Sequence, residues 1–76
     1  MKVVYENHKG FVSFEFEDVT WNAETGVIQF ADYGKPVCHD KVDNIAAHKI
    51  LSIIANGITK GVPFLHIICR NNIVIA

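Results

Sequence analysis

One stretch constrains this chain more than any other: residues 40 to 60 have helical spacing and are closed by Gly61 and Pro63. Gly61 suits the left-handed residue just past a helix end, and Pro63 prevents continuation. Asp40 is the expected N-cap of a helix running from about Lys41 to Lys60, with Asp43 near its positive end. At about 100° per residue, Val42, Ala46, Ala47, Ile50, Leu51, Ile53, Ile54, Ala55, Gly57 and Ile58 cover an arc of roughly 220°. One sheet cannot cover so wide an arc. With Ala46, Ile50 and Ile53 turned toward a sheet, Ala47, Leu51, Ile54 and Ile58 are left for a second layer. That layer is either another part of the same chain or a second subunit.

The segments on either side of the helix have strand spacing. Val3, Val4 and Tyr5 read as a short strand ended by the turn Asn7-His8-Lys9-Gly10. From Phe11 to Glu17 the chain alternates, with Val12, Phe14 and Phe16 on one side and Phe11, Ser13, Glu15 and Glu17 on the other. The apolar parity switches beyond Asp18, where Val19 and Trp21 take over, and this predicts a bulge there. Residues Asn22 to Gly26 form a hairpin loop with glycine last, and Val27 to Asp32 returns, with Phe30 and Trp21 in the core. Tyr33 to His39 reads as a connection, punctuated by Gly34 and Pro36. After the helix, Phe64 to Arg70 alternates with Leu65, Ile67 and Cys69 inward, and Asn71-Asn72 turns it into Ile73 to Ile75. The expected fold class is α+β. It is a single small domain spanning residues 1–76, with an antiparallel sheet of four to five strands and one long helix on one face, in the order β-β-β-α-β-β.

Length sharpens the question of the helix. A chain of 76 residues buries only about 60% of its unfolded surface, so a lone monomer has a thin core, and half the residues are apolar. Pairing with a second subunit is a common remedy. The formal charge of −1, without a Lys/Arg run, argues against direct nucleic-acid binding. No apolar run approaches a membrane span, and the first residues do not resemble a secretory signal, so the expected location is the cytoplasm. There, Cys38 and Cys69 would both be thiols.

Three groupings bear on chemistry. Cys38-His39-Asp40 sets a thiol beside an imidazole just before the expected helix, where the helix's positive end would lower the thiol pKa. Adjacent residues usually project apart, however, and Asp40 is already accounted for as a cap. A metal site would have to draw on Cys38, His39, His48, His66 and Cys69, but the chain has no Cys-x-x-Cys pair, and His66 and Cys69 fall on opposite strand faces. Phe11, Glu15, Glu17 and Tyr33 combine exposed aromatics with carboxylates, the makings of a protein-binding surface. No phosphate loop or hydrolase motif is present, and no catalytic, metal or cofactor residues are assigned.

The expected function is that of a non-enzymatic interaction or regulatory protein. It would bind another protein through Phe11, Glu15, Glu17 and Tyr33, an acidic face of the kind an inhibitor could use, and pair as a homodimer through Ala47, Leu51, Ile54 and Ile58. The alternatives are a thiol or metal site at Cys38 and His39, and an apolar ligand carrier at the dimer interface.

Overall fold

The computed structural model describes residues 1–76. Seven strands precede and follow one helix: β1 (Lys2–Asn7), β2 (Gly10–Glu15), β3 (Asp18–Asn22), β4 (Val27–Asp32), β5 (Lys35–Lys41), α1 (Asn44–Lys60), β6 (Phe64–Arg70) and β7 (Ile73–Ile75). They form two sheets, one in the order β2-β1-β6-β7 and the other in the order β3-β4-β5. The α+β class holds, but the single antiparallel sheet does not. β1 and β6 run parallel, with Val3 beside Leu65 and Tyr5 beside Ile67.

The parity switch near Asp18 is a change of sheet rather than a bulge. Phe16 donates its backbone N–H to Met1 in the first sheet, and Glu17 donates its own to Ala31 in the second, both at 2.9 Å. Between these two residues the chain exchanges one set of partners for another. The one register shift in the sheets lies between Phe30 and Ala31, opposite β5.

The segment expected to be a connection is instead a strand. Tyr33 (φ 50°) and Gly34 (φ 78°) both adopt positive φ, the signature of a two-residue hairpin, and the chain returns along β4 as β5. This moves the start of the helix. Asp43, not Asp40, caps it, accepting from the Ala46 N–H at 2.8 Å. The helix ends as expected: Gly61 sits at φ 69°, its N–H reaches Ile58 O at 3.1 Å, and the Val62 N–H reaches Gly57 O at 3.0 Å. Asn71 and Asn72, both at positive φ, make the turn between β6 and β7.

The core joins both sheets to the helix. Val3 and Tyr5 from β1, Ile28 and Phe30 from β4, Ile67 and Cys69 from β6, and Ala46, Ala47, Ile50 and Ile54 from α1 belong to one buried cluster. Phe30 is its aromatic centre, with the rings of Phe14, Phe16 and Tyr5 at 5.1, 5.3 and 5.7 Å. Ala47 and Ile54, expected on the uncovered side of the helix, are 0% and 2% exposed, buried in the core cluster of their own chain. Leu51 is half-buried, and Ile58 remains 59% exposed. No helix is long and apolar enough to cross a membrane.

Candidate functional site

Alternation along a strand sends successive side chains to opposite faces, so each sheet has an inner face on the core and an outer face. On the three-stranded sheet the outer face is polar at its centre, with the half-buried Val27 and Ala31 to either side on β4. Thr20, Gln29 and His39 stand side by side across β3, β4 and β5, and all three are exposed. The outer face of the four-stranded sheet differs. Register places Phe11, Glu6, Ile68 and Ile75 in one row across β2, β1, β6 and β7, and sets Ile73 beside Arg70 in the next. Phe11, Ile73, Ile75 and Phe64 are 76%, 66%, 57% and 49% exposed, and Val4 and Ile68 are half-buried between them. So many large apolar groups gathered on one open face differ from the singly scattered apolar residues of an ordinary protein exterior.

Charged groups are set into this apolar field. Arg70 donates to one carboxylate oxygen of Glu6, and the other lies 3.4 Å from His66 Nε2. At one end Lys2 and Glu15 face each other across the β1–β2 pair, and the terminal ammonium lies 3.8 Å from Glu15. Each pair has one largely exposed member, Glu15 or Arg70, so each contributes little to stability, but they fix the charge pattern of the face.

The side chains expected to bind a partner do not form one patch. Phe11 and Glu15 share this outer face, but four residues of extended chain, about 13 Å, separate them. Glu17 lies beyond β2, at the crossing between sheets, and Tyr33 projects from the β4–β5 turn, 86% exposed. The acidity of Glu15 is offset by Lys2 and the amino terminus. Sequence reasoning missed Val4, Phe64, Ile68, Ile73 and Ile75, together with the Glu6, His66 and Arg70 cluster. A signal was present: Ile73-Val74-Ile75 is apolar at every position, so in a strand with Val74 inward the two isoleucines must point out.

Cys38 and His39 sit in β5, away from the helix terminus. Cys38 pairs with buried Phe30 and His39 with exposed Gln29, so thiol and imidazole project to opposite faces. Burial pushes the Cys38 thiol up from its ordinary value, and the charge of Asp40 adds to the shift. That is the reverse of what a nucleophilic cysteine requires. Asp40 is engaged by the Tyr5 hydroxyl, which donates to it at 2.7 Å.

Two clefts of about 200 Å³ flank that hydrogen bond. One is lined by Lys9, Phe11, Cys38 and His39 among others, the second by His8, Asp40, Cys69 and Asn72. Both are smaller than the usual small-molecule site of about 300 Å³ or more. No three His, Cys, Asp or Glu side chains converge as a metal ion would need. No family model, curated protein or solved structure matches the chain.

Proposed function

We propose that this is a small non-enzymatic interaction protein whose contact surface is the outer face of the β2-β1-β6-β7 sheet. One observation carries the reading: of two sheets built by the same short chain, one turns Thr20, Gln29 and His39 outward and the other turns Phe11, Phe64, Ile73 and Ile75 outward. A face of the second kind gains from being covered, by about 25 cal/mol for each Å² of apolar surface removed from water. Aromatic and aliphatic anchors among offset charges are also the composition of a protein interface. Binding through this face would occur in the cytoplasm, the compartment in which the free thiols of Cys38 and Cys69 persist.

Photo-crosslinking in intact cells tests the reading. A benzophenone side chain in place of Phe11 or Ile75 should yield a discrete protein adduct, and one in place of Gln29 should not. Equal labelling from all three positions, or none from any, would overturn the assignment.

A further inference from the structure

Resting on that contact face, we infer that the partner reaches it through an extended segment that pairs with the free edge of β2, setting an aliphatic side chain in the cleft beside Val12 and a carboxylate near Lys9. The direction of the β2 amides points to this edge. Met1 and Phe16 exchange both backbone hydrogen bonds, at 2.8 and 2.9 Å. In an antiparallel ladder such pairs alternate with pairs that make none, so Val3 bonds to Phe14, Tyr5 to Val12 and Asn7 to Gly10. Phe11, Ser13 and Glu15 therefore turn N–H and C=O away from β1. No strand pairs with β2 on that side, and all three residues are exposed. Two residues beyond Glu15, Glu17 uses the same side to donate to Ala31. The chain thus fills this edge at Glu17 and leaves it open from Glu15 to Phe11.

The other edge strands are protected or filled. β5 carries Pro36 and a register shift where it pairs with β4, and β7 has only three residues. β3 packs its inward side chains, Val19 and Trp21, against the core. β2 has no proline, no lysine and no register shift. Its inward side is also uncovered. Val12 shares the inner face with Tyr5, which is 1% exposed, yet Val12 itself is 43% exposed.

The cleft of about 200 Å³ at Val12 selects what such a segment carries. Tyr5, Val12 and Cys38 give it an apolar lining, Lys9 is its one full charge, and no carboxylate lines it. Too small for an ordinary ligand, it suits a single aliphatic side chain with an acidic neighbour. A strand antiparallel to β2, the orientation β1 already takes, runs from the Glu15 end toward Gly10. Its residue opposite Val12 points into the cleft, and its residue two positions on, opposite Gly10, points the same way beside Lys9. The selected order is therefore aliphatic, any residue, acidic. Main-chain hydrogen bonds supply affinity in this mode of recognition, and alternate side chains supply specificity. The intervening residues fall on the outer face beside Phe11 and Ser13, so the added strand joins the contact face.

Amide exchange of the purified chain in deuterated water, with and without the end-blocked hexapeptide Thr-Val-Thr-Ile-Thr-Glu, tests the pairing. At saturation the Phe11, Ser13 and Glu15 amides should exchange about tenfold more slowly or better, while those of Val12 and Phe14, already bonded to β1, change little. The same peptide N-methylated at its three threonines should bind about tenfold more weakly or worse, and so should the peptide with lysine in place of glutamate. Ser13→Pro removes an N–H from β2 only on its open side, a place where an edge strand tolerates proline, and should abolish binding. No slowing at millimolar peptide, or equal binding of either altered peptide, would overturn the proposal. So would slow exchange of the three amides in the chain alone, with a dimer in sedimentation, since a second copy would then hold the edge. The two readings fail separately. A folded Ser13→Pro protein whose positions 11 and 75 still crosslink to a partner in cells overturns the edge pairing and leaves the contact face standing.

Discussion

Tyr5 and Asp40 show how much a single residue's role depends on its neighbours in space. The Tyr5 ring is 1% exposed, and its hydroxyl reaches Asp40 across the gap between the two sheets. Hydrogen bonds to charged acceptors are the stronger kind, so Tyr5→Phe should cost about 1.5 kcal/mol, read from urea denaturation. Burial, then the hydrogen bond and charge of Asp40, pushes the Tyr5 hydroxyl well above its ordinary value of 10.0. Burial raises Cys38 and Cys69 too, with the Tyr5 hydrogen bond partly opposing the shift at Cys69. Groups raised on folding stabilise the fold fully below their unfolded pKa and lose that contribution as pH rises toward the folded one. The urea midpoint should therefore hold through neutral pH, fall above the ordinary thiol range, and fall further past pH 10. In Tyr5→Phe the last part of the fall should vanish. Cys38 should also react with a maleimide at neutral pH more slowly than a cysteine in an unstructured peptide. From sequence Asp40 reads as a helix cap, because its neighbours in the chain suggest one; the hydroxyl that engages it lies 35 residues away.

At the scale of elements, the ends of α1 divide into one legible from sequence and one that was not. Gly61 and Pro63 announce the C-terminus because the left-handed cap is a local geometry that few residues adopt. The N-terminus reads from sequence as capped by Asp40, three residues too early, and Asp43 takes that place because β5 pairs with β4 as far as Lys41. Asp43→Ala should cost about 1 kcal/mol through the lost cap. The hairpin at Tyr33-Gly34 was hidden by Pro36, which belongs to an edge strand of the three-stranded sheet, where a missing N–H is tolerated. Phe16 closes the joint between the sheets, 2% exposed against Phe30, and Phe16→Ala should cost about 3–5 kcal/mol and loosen both sheets together. Exchange of the β1 and β4 amides with deuterated water would report that joint loss. An exchange increase confined to one sheet would show that the two fold independently.

For the whole molecule, the apolar surplus visible in the composition lies mainly on the open sheet rather than on the helix. Sequence alone determined the α+β class, the inward side of most strands, the turns at Gly26 and Asn71-Asn72, and the end of the helix, because each rests on dihedral preference or alternation within a few residues. Tertiary structure decided that there are two sheets, that β1 runs parallel to β6 some sixty residues away, and that Ala47 and Ile54 are covered by their own chain while Phe11, Ile73 and Ile75 are not. The reason is physical. Alternation records that a strand or helix has two unlike faces, but what covers each face is fixed only by packing between segments far apart in the chain.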